Sequence, residues 1–410
     1  MREKPAHAPL VQFPVIDDEL TIGGLTLRQL AKRIGQTPFY AYGREAITQR
    51  ISELREMLPN DLSLHYAIKA NPMPAVVDHI ARLVDGLDVA SVCEMRIALD
   101  SGIPASEISF AGPGKGNDEL AAAIAAGVTL NVESIGELTR AIESGERLGI
   151  VPRVAVRVNP DFELKSSGMK MSGGPKPFGI DAELVPSVLR RIRESGAHFR
   201  GLHNFSGSQN LSSESLIDAQ KATFDLAYRL AEDAPSRIEV LNIGGGFGVP
   251  YFPGEQRLDL TPVCDHLQQR IPECRAHLGA AEVVIELGRY LVAEAGVYVC
   301  EVLDKKVSRG TTYLVTNGGL HHHLAASGNF GQVIRKNYPL VTAHKVISQP
   351  REQVTVVGPL CTPLDILGDR MELGQADVGD LIAVLQSGAY AFTASPHLFL
   401  GHPPPIQVIV

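Results

Sequence analysis

Short apolar runs alternate with amphipathic stretches along most of the chain. LSLHYAIKA, GLDVAS, ISFAG, VTLNVES, VPRVAVRVN, FRGLHNFSG, IEVLNIGGG and EVVIELG are apolar and bounded by turn residues. That is the pattern of strands buried on both faces. Between them AVVDHIARLV, VCEMRIALDSG, KGNDELAAAIAAG, IGELTRAIESGERLG, LVPSVLRRIRES, SLIDAQKATFDLAYRLAEDA and VCDHLQQRIPECRAHL repeat apolar residues at helical spacing. A rhythm of about eight βα units predicts a closed (β/α)8 TIM barrel, for which about 250 residues is typical. A doubly wound open sheet is the alternative architecture.

The pattern changes on both sides of this region. Near the N-terminus one or two short strands precede LTLRQLAKRIG, a small helix that Gly35 stops. Then come the aromatic strand TPFYAYG and the helix REAITQRISELREML. After residue 290, VYVCEVLDKKVS, TTYLVTNGG, HKVISQ, EQVTVVGPL, DLIAVLQSGAY and PIQVIV read as strands without long helices between them. The expectation is a barrel over residues 36–285 and a mostly antiparallel β domain built from 1–35 and 286–410. The tract SGMKMSGGPKPFG follows a barrel strand and reads as a loop, and loops at strand C-termini are where barrels carry function.

Composition narrows the function classes. The 410 residues are 44% hydrophobic and 20% charged, with a formal net charge of −8. No Lys/Arg cluster stands out, which argues against nucleic acid as a partner. No apolar run reaches about 18 residues, so no membrane span is expected. The first twenty residues lack a signal-peptide pattern, and a cytoplasmic location is expected. The five cysteines are scattered and form no CxxC pair, which supports neither a disulfide framework nor a metal site.

Three features carry chemistry. Lys69 stands near the end of the strand LSLHYAIKAN. Taken alone it is also what a strand-end lysine looks like. A partly desolvated amine there is available to form a Schiff base. Gly244, Gly245 and Gly246 end a late strand, where backbone N–H groups can approach an anion, although a tight turn needs glycine too. Glu286 and Arg289 end the last barrel strand as an acid and a base three residues apart. An amine, a phosphate cradle and an acid for a ring nitrogen together favour pyridoxal phosphate.

HYAIKANP, GLDVAS, GLHNFSGSQ, NIGGGFG, ELGR, GPLCTPLD and SGAY resemble, in order and spacing, the fold-type III pyridoxal-phosphate decarboxylases. Diaminopimelate and ornithine decarboxylases are familiar members, and the fold is alanine racemase-like. The resemblance spans nearly the whole chain. It implies that Lys69 is the Schiff-base lysine and that Ser208 and Gly244 to Gly246 bind phosphate. It also implies that Glu286, within the motif that includes Gly288, pairs with the pyridine nitrogen. Arg289 and Tyr390 would lie near phosphate or substrate, and Asp88 near the lysine. Cys361 would be the cysteine that a partner subunit inserts, protonating the decarboxylated carbon as general acid. A homodimer with shared active sites follows. An acid on the ring nitrogen keeps it protonated as an electron sink, which favours decarboxylation over racemisation.

Departures from the family pattern bear on substrate. Phe205 stands where familiar relatives stack a histidine on the cofactor; it can stack but cannot donate a proton. His203, two residues earlier on the same strand face, can supply a donor. Thr362 follows Cys361 where relatives that act on diamino substrates have an acid, so a distal ammonium would lose a contact worth roughly 1.5–3 kcal/mol. NGGLHHHLAASGNFG carries His321, His322 and His323 where diaminopimelate decarboxylase places an arginine. These histidines, with Thr362 and Asp365, are expected to line the substrate's side chain and not to bind metal. With FAGPGK, the blocks look most like the branch of exosortase A system-associated, glutamyl-carrier-protein and citryl-amine decarboxylases, in siderophore or secondary metabolite biosynthesis. The expected activity is that of a carboxy-lyase acting on an α-amino acid with an extended or acylated side chain, such as N-citrylornithine or a carrier-linked aminoacyl group. Diaminopimelate decarboxylase and a non-enzymatic pyridoxal-phosphate carrier are the alternatives.

Overall fold

A computed structural model describes residues 5–9, 11–162 and 169–410, with backbone alone at 169 and 170. Ser167 and Gly168, which open the tract expected to be a functional loop, lie outside the described residues. The chain divides into two compact units. One comprises Arg50–Val249 and Leu258–Gly288, the other Met1–Gln49, Pro250–Arg257 and Arg289–Val410.

The first unit is a closed parallel barrel. Its strands are β1 (Leu62–Ala67), β2 (Gly86–Val89), β3 (Ile108–Phe110), β4 (Thr129–Val132), β5 (Arg153–Asn159), β6 (His198–His203), β7 (Val240–Gly245) and β8 (Glu282–Leu287). Each pairs in parallel with the next, and β8 returns to β1 through Val283 opposite Leu62 and Leu287 opposite Tyr66. Ser91, Ser134 and Ser212 cap the helices after β2, β4 and β6 by accepting a backbone N–H in the first turn. Gly127, Gly149 and Gly196 end three helices in the left-handed conformation. Caps of this kind set where each helix starts and stops, and hence how short the βα loops are.

The second unit is built on a mostly antiparallel sheet. Gly296–Ser308 pairs with Thr311–Thr316, with Leu381–Val384 and with Phe39–Tyr42. Ile406–Ile409 runs parallel to Phe39–Tyr42. Phe39–Tyr42 therefore belongs to this sheet, although residues 36 onward were assigned to the barrel from the sequence. The N-terminal segment joins the same unit: Leu20 donates its N–H to Ala343, and Leu20, Ile22, Leu27 and Leu30 pack with Phe39, Val297 and Ala383. Helix Leu27–Ile34 starts with a capping box between Thr26 and Gln29 and stops at Gly35.

Two strand expectations change. HKVISQ is no strand, because Asp18 takes its backbone: the N–H groups of Ile347 and Ser348 donate to Asp18 Oδ1 at 2.6 and 3.2 Å. Ile366–Gly374 is a strand the apolar pattern did not reveal, since polar and apolar residues are mixed along it. No helix among the described residues is long and apolar enough to cross a membrane.

Candidate active site

Lys69 lies in a one-turn helix, Ile68–Ala70, directly after β1. Gly288 lets that turn sit close to the end of β8: a Cβ there would be 3.0 Å from the Ala70 Cβ and 3.2 Å from the Ala67 carbonyl. The Lys69 ammonium stands 3.7 Å from Glu286 Oε1 and 5.2 Å from the Phe205 ring centre. Glu286, on β8, is buried, and its Oε2 is 3.2 Å from Nε2 of buried His203 on β6. Burial alone would push the Glu286 carboxyl up. The His203 hydrogen bond and the Lys69 and Arg157 charges outweigh it and hold the carboxyl well below the usual range.

Asp88, on β2, accepts from Ser109 Oγ at 2.5 Å and lies 3.2 Å from His65 Nδ1. Its Oδ2 has no hydrogen-bond partner among the described residues. His65 is buried, which lowers its basicity, but the Asp88 carboxylate more than offsets this and raises it. The strand-end lysine thus stands between the Glu286 carboxylate and the Phe205 ring face.

The glycine run after β7 is fixed by contact as well as by conformation. Gly244 and Gly246 have φ of +70° and +78°, which strains any side chain. A Cβ would lie 2.7 Å from the Asn204 carbonyl at Gly244, 2.1 Å from the Glu286 carbonyl at Gly245 and 2.3 Å from the Gly207 carbonyl at Gly246. The loop is therefore held against the segment that follows β6, where Ser208 pairs with Met169. An amine, a glycine cradle that no side chain can fill and an ionised acid are the parts that pyridoxal phosphate requires, so these residues fit that cofactor.

In the β unit, Arg289 is boxed by phenols. Its guanidinium lies 4.6 Å from the Tyr390 ring centre and 5.4 Å from that of Tyr251, and donates to the Tyr251 hydroxyl at 3.1 Å. Tyr390 is held at φ +53°. Cys361 is exposed. Thr362 is half-buried, its hydroxyl accepting from the Leu364 N–H at 3.3 Å.

The remaining residues expected to line the substrate are turned inward. Asp365 is 2% exposed and accepts the N–H groups of Leu320 at 2.6 Å and Leu360 at 2.8 Å. The three histidines lie on a turn, not a strand, and all are buried. His322 bonds Tyr298 Oη at 3.0 Å and the Pro403 carbonyl at 2.9 Å. His323 bonds Ser387 Oγ at 2.9 Å and the Ala326 N–H at 3.1 Å. That geometry leaves no ring nitrogen of either residue for a ligand. His321 lies against His322, ring centres 3.7 Å apart with the planes tilted at 43°, and neither of its nitrogens has a partner among the described residues.

A buried charge network went unseen in the sequence. Glu133 accepts from Arg157 at 2.8 Å, from the Gly112 N–H at 2.5 Å and from the Gly179 N–H at 3.1 Å. Lys115 reaches Glu137 at 2.8 Å and the carbonyls of Gly112 and Asn131 at 2.6 and 2.9 Å. One carboxylate thus ties together the loop after β3, strand β5 and the loop after it. The only signal was FAGPGK and NVES at strand ends, charges that also read as solvated loop residues.

Comparison with known proteins bears on this arrangement. Residues 44–293 match the family described as pyridoxal-dependent decarboxylase, pyridoxal binding domain. The chain is 38% identical over 390 residues to the L-glutamyl-BtrI-acyl-carrier-protein decarboxylase of Niallia circulans, covering 93% of this chain and 90% of the relative. It is 31% identical over 386 residues to a Staphylococcus aureus decarboxylase of an L-alanin-3-ylcarbamoyl-methyl derivative of 2-hydroxybutanedioate, covering 92% and 95%. The crystal structure of diaminopimelate decarboxylase from M. jannaschii superposes with a TM-score of 0.85 at 27% identity, over 97% of this chain and 92% of that one.

Proposed function

Because this chain belongs to the pyridoxal-dependent decarboxylases and is a pyridoxal-phosphate carboxy-lyase, we propose that it decarboxylates an α-amino acid whose side chain is acylated, extended or carrier-linked. The observation that carries this reading is the loop around Cys361. Its only acid is Asp365, and both Asp365 oxygens accept backbone N–H groups inside the β unit. Thr362 offers a hydroxyl and no charge. A diamino substrate would bring an ammonium to a loop with no carboxylate to receive it. The names of two relatives, which act on a glutamyl group on a carrier protein and on an alanine-derived amide, support the same reading.

Pyridoxal phosphate supplies the sink for the electron pair that carbon dioxide leaves behind. The chain's residues do the rest. Lys69 presents the amine that holds the cofactor's carbonyl carbon. Glu286, ionised, holds a proton at the ring nitrogen, and His203 keeps it ionised. Phe205, beside Lys69, would offer the cofactor ring a face to pack on. Gly244 to Gly246 and Ser208 offer backbone and hydroxyl donors to the phosphate, with Gly288 seating Lys69 and Asp88 beside it. Arg289 and Tyr390 meet phosphate or substrate carboxylate. Cys361, exposed on a single chain, delivers a proton to the substrate carbon in the partner's site, so the working unit is a homodimer.

The test is carbon dioxide release across diaminopimelate, ornithine, lysine, glutamate, N-citrylornithine and a glutamyl-loaded carrier protein. Release from an acylated or carrier-linked substrate, with little from free diamino acids, is the expected result. Efficient conversion of diaminopimelate to lysine would overturn the substrate reading. Mixed dimers of Lys69→Ala and Cys361→Ala chains should recover activity; a verified heterodimer without recovery would rule out shared sites.

A further inference from the structure

The Arg289 guanidinium is a half-buried cation that forms no ion pair among the described residues. Glu294, the nearest candidate on the same stretch of chain, is bonded to Arg257 at 2.8 Å. What faces Arg289 instead is aromatic. Tyr251 and Tyr390 lie against it, and Tyr338 stacks behind Tyr251, ring centres 4.7 Å apart. Burial opposes the charge, and the three phenols more than compensate. Tyr251 is itself 2% exposed and receives the guanidinium's hydrogen bond through its hydroxyl. The Arg289 Nε is buried and has no hydrogen-bond partner among the described residues.

Such a cation is stabilised without being neutralised. Ring faces attract a guanidinium but leave its charge to act on an anion. One hydrogen bond and two ring contacts fix the plane of the fork, which decides whether a phosphate or a carboxylate can be met by two parallel N–H groups. We infer that Tyr251 is a positioning residue: backed by Tyr338, it aims the Arg289 fork at an oxyanion, either the cofactor phosphate or a substrate carboxylate. This rests on the proposed role of Arg289 and assigns a role to a tyrosine that carried no signal in the sequence. Its place in the chain is suggestive, since Tyr251 follows Gly248 by three residues in GGGFGVPY.

Tyr251→Phe keeps the ring and removes the hydroxyl. Apo-protein of the parent, Tyr251→Phe and Arg289→Gln is titrated with pyridoxal phosphate and, separately, with pyridoxal, which lacks the phosphate; KM and kcat follow on the loaded enzymes. Losing one hydrogen bond to a charged group should cost Tyr251→Phe about three- to tenfold in the affected constant. Weaker pyridoxal phosphate binding with unchanged pyridoxal binding assigns the anion to the cofactor. A raised KM with unchanged kcat and cofactor affinity assigns it to the substrate. If Arg289→Gln changes these constants and Tyr251→Phe changes none, with melting temperatures equal, the inference is overturned and the role of Arg289 stands. If Arg289→Gln also changes none, the proposed role of Arg289 fails first.

Discussion

His203 and Glu286 face each other inside the barrel, imidazole Nε2 to carboxylate Oε2 at 3.2 Å, both side chains buried. His203 Nδ1 has no partner among the described residues, so this contact is the one that orients the ring. Strand β6 ends at His203, which brings a donor to the acid, and Phe205, in the segment after the strand, lies beside Lys69. Removing the imidazole takes away the hydrogen bond that offsets burial, so the Glu286 pKa should rise. In His203→Ala the acid limb of the kcat/KM profile should move to higher pH, and in His203→Gln, which keeps a donor, it should move less. Equal profiles for all three proteins would exclude the contact from control of Glu286.

Gly246→Ala should damage the cofactor cradle. Its Cβ would fall 2.3 Å from the Gly207 carbonyl at a φ of +78°, and left-handed strain alone costs about 1–3 kcal/mol. The loop must move, taking its N–H groups with it. The expected outcome is a lower melting temperature and loss of most of the absorbance near ~420 nm that bound pyridoxal phosphate gives. An alanine protein with full absorbance would show that the run after β7 does not hold the phosphate.

The buried pair Lys115 and Glu137, both side chains 1% exposed, should behave asymmetrically. Glu137→Leu strands a buried ammonium and should cost about 3–5 kcal/mol. Lys115→Met with Glu137→Leu should be nearer the parent than the single change, because the charge is gone. It will not reach it, since Lys115 also serves the carbonyls of Gly112 and Asn131. A denaturant-melt double-mutant cycle measures the coupling; additive losses would mean that the pair is not a unit.

Acid should unfold the β unit early. Burial pushes His321, His322 and His323 down to about 3, 4 and 3 from an ordinary 6.5. The unfolded chain takes up protons as the pH falls through 6.5, whereas the folded one resists until about 4 at His322 and about 3 at His321 and His323. Stability is therefore complete above 6.5 and is lost as the pH falls from 6.5 to about 4 for His322 and to about 3 for His321 and His323, by at most about 1.4 kcal/mol per pH unit for each histidine. Melting temperature against pH checks this. His321→Leu removes the ring whose nitrogens have no partner and should reduce the slope by about a third; an unchanged slope would place the acid sensitivity elsewhere.

The barrel was readable because its strands are apolar runs and its helices are periodic, and both signals are local. Lys69, the glycine run and Glu286 stand at strand ends, where position in a barrel gives them meaning. Arg289 showed only as a base three residues from Glu286, and Cys361 and Tyr390 were readable only through resemblance, because nothing in their local sequence marks them. The inward turn of Asp365 and of the histidines was not readable at all. It depends on Leu320 against Asp365, Tyr298 against His322 and Ser387 against His323, pairs that are close in space and 45, 24 and 64 residues apart in sequence. HKVISQ failed for the same reason, since Asp18 lies more than three hundred residues away.

The aromatic strand Phe39–Tyr42 finds its partners at Gly296–Val299 and at Ile406–Ile409. On the ribosome this order has a cost. Barrel closure needs nothing beyond Leu287, so the barrel can form while later residues are still being made. Phe39–Tyr42 must wait with both edges unpaired until Gly296–Val299 is made, and with one edge still open until Ile406–Ile409 follows. Over that interval the nascent chain carries an apolar strand, two of its four residues tyrosine, that any other strand edge can capture. Slowed synthesis after residue 296, or loss of Ile406–Ile409, should therefore send the protein to aggregates that contain a closed barrel.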